Sequence, residues 1–288
     1  MYLFLNGKIV HKGKAAISPF DHGFLYGMGL FETMRTYGGH PFLLDDHLKR
    51  LQSGMDTLNI KLELNTLDIP GMISSLSEKN GLPDSYLRLN ISAGEGEIGL
   101  RTAPYERPNI MLIQKELPTL APLREKEAVL LKLARNTPET AVRLKSHHYF
   151  NNIAAKREIG DAPDKEGLFL TKEGYIAEGV TSNIFWVTDG TLYTPSLETG
   201  ILNGVTREYI IEVSKKLGIP SETGLYQPEA LLHSNEAFFT NSVQEIVPIH
   251  SFSGQTYPGK QGEITKAFYN HYQHDTRVLF SKNELHGS

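Results

Sequence analysis

Lys145 lies in the run Arg143-Leu-Lys-Ser-His-His-Tyr-Phe-Asn-Asn152. Before it, Val129, Leu131 and Leu133 alternate with Leu130 and Lys132 as in a strand over 128–134; after it, Phe150, Ile153 and Ala154 recur at helical spacing. A lysine at such a junction can be held by backbone on both sides. Partly desolvated, its amine becomes less basic and able to attack an aldehyde, as Schiff-base chemistry requires. Further on, Ala177-Glu178-Gly179 places a carboxylate between two strands, near Ser182 and Asn183. Buried beside a pyridine nitrogen, such a carboxylate would keep that nitrogen protonated and make the ring an electron sink. Asn203-Gly204-Val205-Thr206 opens a helix, where unpaired N–H groups, the helix dipole and a hydroxyl together suit a phosphate. Thr240-Asn241-Ser242 ends a strand with more hydroxyls. Taken singly, each has an ordinary reading: a surface lysine, a solvated turn glutamate, a loop-to-helix cap, a polar turn. His147 and His148 are adjacent rather than four apart, so no metal site is expected on them.

The elements that must position these residues belong to a chain of 288 residues with 40% hydrophobic and 22% charged content, comfortable for two domains of ordinary globular composition. The net charge of −4 carries no electrostatic footprint for nucleic acid. No apolar run approaches the roughly 18 residues of a membrane span. There is no cysteine, which excludes disulfides and thiolate metal sites. The first residues read as a strand running into Asn6-Gly7 and a hairpin, not as a leader, and the cytoplasm is the expected compartment. Helices are expected from Asp45, with Leu48, Leu51, Met55 and Leu58 on one face and Arg50 off it, and over Ile69–Asn80 with Pro70 in the first turn. Tyr86–Ser92 alternates, with Leu87, Leu89 and Ile91 opposite Tyr86, Arg88, Asn90 and Ser92. The prolines of Leu117-Pro-Thr-Leu-Ala-Pro122 mark a linker. Beyond it, a hairpin over 184–194, a helix carrying Tyr209, Ile210, Val213 and Leu217 on one face, a strand over 237–240 and a closing helix from Glu263 to about Leu279 are expected.

The order of these motifs is more specific than any one of them. Lys145, then Ala177-Glu178-Gly179 with Ser182-Asn183-Ile-Phe185, then Gly204-Val-Thr-Arg207, then Thr240-Asn-Ser242 with Glu245-Ile246, resembles the pyridoxal-phosphate enzymes of fold type IV, the class IV aminotransferases and their lyase relatives. Asp21-His-Gly-Phe-Leu-Tyr-Gly-Met-Gly-Leu-Phe-Glu32 and His47-Leu-Lys-Arg-Leu51 extend the resemblance over nearly the whole chain. It implies a two-domain α/β (α+β) fold. A small N-terminal α/β domain would span residues 1–116, a linker 117–122, and a larger C-terminal domain with a mixed, barrel-like sheet and helices 123–288. It also implies pyridoxal 5'-phosphate as cofactor and a homodimer acting on a small molecule, with no nucleic-acid or membrane partner. By position, Lys145 resembles the Schiff-base lysine and Glu178 the partner of the pyridine nitrogen. Val205 and Thr206 resemble the phosphate binders at a helix start, Ser242 the residue closing the cup, and Arg50 an arginine reaching the same phosphate. Tyr149 would meet the phenolic oxygen. Phe31, Thr33, Arg88 and Ser92 would line the substrate, with Arg88 binding a carboxylate. Branched-chain aminotransferases tend to have Phe-Glu-Gly where this chain has Phe31-Glu32-Thr33. D-amino-acid enzymes carry an arginine where it reads Ser92-Ala93-Gly94. Both departures favour the carbon–oxygen lyase branch over either aminotransferase. A non-catalytic ligand-binding module is the rival of another class.

Overall fold

Asn6 and Gly7 both take the left-handed conformation, φ 47° and 84°, and fold β1 (Tyr2–Leu5) back onto β2 (Lys8–His11). That tight turn starts the first of two units into which the computed structural model divides; the structure describes residues 1–117 and 123–286. After the short helix α1 (His22–Leu25), strands β3 (Gly29–Tyr37), β4 (His40–Pro41), β5 (Ser85–Ser92) and β6 (Asn109–Glu116) complete a six-stranded sheet of order β2-β1-β6-β5-β3-β4. All its pairings are antiparallel. Antiparallel sheets commonly bury one face, and here Leu30 and Met34 of β3 with Leu87, Leu89 and Ile91 of β5 form the covered face. The cover is α2 (Leu44–Thr57) and α3 (Ile69–Asn80), which contribute Leu51, Met55, Ile73 and Leu76. Asp68 caps α3 by accepting from Gly71 N–H, Pro70 sits in the first turn, and Gly81 ends the helix at φ 68°, the position that favours glycine.

The second unit holds a mixed sheet of nine strands. These are β7 (Lys126–Leu130), β8 (Lys165–Leu170), β9 (Ile176–Gly179), β10 (Asn183–Thr188), β11 (Thr191–Pro195), β12 (Ser221–Gly224), β13 (Glu236–Asn241), β14 (Glu245–Phe252) and β15 (Gln255–Thr256). The order is β12-β11-β10-β13-β14-β7-β8-β9, with β15 beside β14. β9 is the far edge of that path, yet a turn at 180–182 joins it to β10, and Gly179 N–H donates to the Ser182 carbonyl at 2.7 Å. An edge strand can meet the interior of its own sheet in so few residues only if the sheet curls into a half-barrel. Among the described residues four α-helices accompany it: α4 (Phe150–Ile159), α5 (Val205–Lys216), α6 (Pro228–Leu232) and α7 (Glu263–Asp275). Trp186, Phe239, Ile249 and Phe252 are buried in its core. Among the described residues no helix is long and apolar enough to cross a membrane.

The expected boundary falls mostly on residues 118–122, which lie outside the described residues. The units are also not single stretches. Residues 144–148 and 276–281 group with the first, because Ser146 bridges Leu30 of β3 and Leu279 accepts from Leu43 N–H at 3.2 Å. The strand expected over 128–134 is β7, ending at Leu130. The closing helix stops at Asp275 instead of continuing to Leu279. Leu217, expected on the buried face of α5, is its C-cap and is exposed.

Candidate active site

In the first unit, residues 144–148 run extended beside β3. Phe31 N–H donates to the Lys145 carbonyl at 2.9 Å, and His147 N–H donates to the Gly29 carbonyl at 3.0 Å. Sheet pairing therefore fixes the Lys145 backbone, and the half-buried side chain sets Nζ 4.7 Å from the centre of the Phe31 ring. The Arg88 guanidinium lies over the same ring at 3.6 Å. β3 and β5 pair Phe31 with Asn90 and Thr33 with Arg88, so alternation brings Phe31, Thr33, Arg88 and Asn90 to one face of the sheet. Asn90 Oδ1 is 3.0 Å from His147 Nε2 and 3.4 Å from an Arg88 amino group. Ser92 follows on the same face. Its hydroxyl donates to Asp21 at 2.6 Å, in a buried network that also caps α1 through Gly23 N–H; a hydroxyl donates only one proton.

On the covered face of β3, Glu32 is buried between two residues of α2. It accepts from Arg50 through Nε at 2.8 Å and an amino group at 2.6 Å, and from His47 Nδ1 at 2.7 Å. Burial pushes the Glu32 carboxyl up, but Arg50 first and His47 second outweigh it and hold it down at about 2. Burial lowers the His47 imidazole in spite of Glu32, and the charges of Arg50 and then Lys145 add to that lowering. Arg50, off the apolar stripe of its helix, is thus oriented by a carboxylate that the sheet supplies.

In the second unit, Glu178 lies on β9, a buried strand and not the expected turn. Its carboxylate accepts from Arg135 Nε at 2.8 Å, Leu202 N–H at 3.0 Å and the Asn183 amide at 3.4 Å, with Arg143 Nε at 3.9 Å. Burial and the neighbouring Arg135 charge lower the Arg143 guanidinium to about 10, Glu178 pulling the other way, so Arg143 stays charged at neutral pH. Asn183 also donates to the Leu202 carbonyl at 2.9 Å, so Glu178 grips the loop leading into α5. Gly204 is the N-cap of α5 and provides no side-chain cap; a Cβ there would strike the Asn183 amide oxygen. Thr206 in the first turn meets Ser242, just past β13, hydroxyl to hydroxyl at 3.3 Å. The buried Thr240 hydroxyl has no hydrogen-bond partner among the described residues.

This arrangement fits pyridoxal phosphate. A carboxylate has about four acceptor directions, and Glu178 leaves room for one more donor, such as a protonated ring nitrogen. The uncapped start of α5, with Val205 and Thr206 at its first positions, suits a phosphate, as do the hydroxyls of Thr206 and Ser242 and the orphaned Thr240. Tyr149 is the N-cap residue of α4, with no side-chain cap bond. Arg135 and Arg143 are partners of Glu178 that sequence reasoning misses. Their spacing from Lys145 is visible, but nothing in a sequence separates a buried arginine from a solvated one.

The family model for class IV amino-transferases matches residues 29–252. The aminodeoxychorismate lyase of Bacillus subtilis (strain 168) is 45% identical over 280 residues, 96% of this chain and 95% of that protein. Among solved structures, 4-amino-4-deoxychorismate lyase from Pseudomonas aeruginosa is similar with a TM-score of 0.85 at 27% identity, covering 95% of this chain and 98% of that one. The branched-chain aminotransferase from the thermophilic archaeon Thermoproteus uzoniensis, solved with norvaline, gives a TM-score of 0.85 at 26% identity, covering 99% of this chain and 96% of that one.

Proposed function

The chain belongs to the class IV amino-transferase family, and we propose that within it the protein is a pyridoxal-phosphate lyase converting 4-amino-4-deoxychorismate to 4-aminobenzoate and pyruvate. The observation that carries this choice is the 45% identity to the Bacillus subtilis lyase along 96% of the chain. In the net reaction the amine-bearing ring carbon loses a proton, the C–O bond to the enolpyruvyl arm breaks, and the ring becomes aromatic. The released enolpyruvate takes up a proton to become pyruvate, so atoms and electrons balance without a co-reactant.

Bound pyridoxal phosphate supplies an aldehyde for an amine and a protonated pyridine ring that withdraws electrons from the neighbouring carbon. Lys145 would hold the aldehyde, and its amine, once the substrate amine has taken its place there, would be the base that takes the proton from the substrate's ring carbon. Glu178 holds the proton on the pyridine nitrogen, steadied by Arg135 at 2.8 Å. Val205 and Thr206 at the start of α5, with Ser242, would grip the phosphate; Arg50, oriented by Glu32, is a candidate cation for it by its resemblance to the family's arginine. Tyr149 is the candidate for the phenolic oxygen. Arg88 takes a substrate carboxylate, for which its planar fork is suited, and Phe31 and Thr33 share its face of the sheet. Ser92, held by Asp21, is a further candidate for that wall.

We further read the enzyme as a homodimer of the cytoplasm acting on a small molecule: its cysteine-free sequence needs no oxidising compartment, and symmetric dimers are the commonest assemblies of soluble enzymes. The test against the aminotransferase reading is mixing the holoenzyme with branched-chain and D-amino acids. A lyase leaves the cofactor absorbance unchanged over many turnover times, whereas rapid stoichiometric bleaching by one of them would overturn the assignment.

A further inference from the structure

Lys126 and Glu166 form an ion pair at 2.9 Å with both side chains about nine-tenths buried, 8% exposed each. Neither is among the residues that would touch the cofactor, and a buried pair is weak evidence for stability in itself, because desolvation offsets much of the attraction. The bonds made by its ends say more. Glu166 Oε1 accepts from Ser182 Oγ at 3.0 Å and from Thr181 N–H at 3.2 Å, the turn that joins Glu178's strand to Asn183's. Lys126 Nζ donates also to Gln244 Oε1 at 3.1 Å. Gln244 belongs to the β13–β14 turn, where its N–H and that of Val243 donate to Asn241 Oδ1 at 2.7 and 2.9 Å, and this turn carries Ser242. Gly179 shows how closely the first turn is seated: a Cβ there would lie 3.1 Å from Glu166 Oε1 and would strike Ser182 Oγ.

We propose that the Lys126–Glu166 pair is a positioning device for the cofactor cage, fixing the turn that follows Glu178 to the turn that carries Ser242; the inference rests on the pyridoxal-phosphate reading of that cage. The contacts close a ring. Glu178 holds Leu202, whose loop leads into Thr206; Thr206 meets Ser242; Gln244 of the same turn receives Lys126; Lys126 holds Glu166; Glu166 holds Ser182, next to Asn183, which returns to Glu178. With the pair in place, the ring-nitrogen acceptor and the phosphate hydroxyls keep a set separation before any ligand arrives, and a preorganised site binds more tightly because less is ordered on binding.

The test uses the full chain freed of cofactor and titrated with pyridoxal phosphate and, separately, with pyridoxal. The double variant Lys126→Met/Glu166→Met replaces the pair without leaving a lone buried charge. Its dissociation constant for pyridoxal phosphate is expected to rise at least tenfold, while the melting temperature of the cofactor-free protein stays within a few degrees of wild type. Gln244→Ala keeps the pair and cuts only its link to the Ser242 turn, which keeps the test open should the double variant not fold. It is expected to weaken pyridoxal phosphate several-fold and pyridoxal hardly at all. Wild-type affinity for both ligands in Gln244→Ala, or in a folded double variant, overturns the inference. Equal affinity of the wild type for pyridoxal phosphate and pyridoxal would instead sink the cofactor reading on which it rests.

Discussion

In the proposed mechanism Lys145 and Glu178 carry the chemistry, and their variants should fail differently. Lys145→Ala should keep the fold but lose the cofactor that borohydride fixes covalently to the chain; peptide mass mapping checks this, and recovery of the label on Lys156 in the wild type would contradict the assignment. Glu178→Gln should bind cofactor yet turn over slower by roughly two orders of magnitude or more, since a neutral amide cannot hold the ring-nitrogen proton as a carboxylate does. Near-normal turnover would remove Glu178 from the mechanism. Arg88→Lys should raise KM for aminodeoxychorismate about tenfold or more, the cost of a charge-assisted hydrogen bond, with the cofactor spectrum unchanged. Loss of cofactor from that variant would place Arg88 in the phosphate grip instead. The reactive types are legible in the sequence because chemistry restricts them and their order is distinctive. What they lean on is not. Arg135, Lys126 and Glu166 look like any surface charge until pairing shows that they are buried.

At the scale of elements, α2 is fastened to β3 through Glu32, His47 and Arg50, and the fastening has a pH signature. The Glu32 carboxyl is held at about 2 against an ordinary 4.5. Its folded value lies below its unfolded one, so its contribution is complete above pH 4.5 and is lost as pH falls toward 2. The gap, at about 1.4 kcal/mol per pH unit, amounts to something on the order of 3 kcal/mol. His47 is lowered as well, so the unfolded chain takes up its proton first and stability already erodes as pH drops below 6.5. Thermal unfolding of the cofactor-free protein across this range should show both losses, and Glu32→Gln should flatten the acid limb below pH 4.5; an unchanged limb would deny the pair this role. Elements with a half-exposed face or a turn or cap signal are legible from sequence: β5 alternates, Asp189-Gly190 marks the 184–194 hairpin although β10 itself is buried, and α3 has its cap, first-turn proline and terminal glycine. β14 gives no strand signal, because residues 245–249 are buried on both faces and Pro248 interrupts the run. β9 reads as a turn for a similar reason, as all four of its residues are buried. Strands covered on both faces lose the alternation that identifies them.

For the whole molecule, Phe24, Ile98 and Leu100 are 70, 75 and 96% exposed, apolar surface of the sort that a second copy covers. Light scattering at micromolar concentration should give twice the chain mass of 32.2 kDa; a fully active monomer would refute the dimer. The prolines near residue 120 suggest a linker in the sequence, but nothing in the sequence signals that 144–148 passes back into the first unit. That passage depends on pairing with β3, a contact remote in sequence that no local pattern announces. It is also what places Lys145 beside Phe31 and Arg88. The most direct measurement is to incubate the holoenzyme with 4-amino-4-deoxychorismate, with no keto acid added, and to quantify products. Equimolar 4-aminobenzoate and pyruvate, formed over many turnovers and abolished in Lys145→Ala, is the predicted result. No 4-aminobenzoate, with amino-group transfer seen only when a keto acid is supplied, would contradict it.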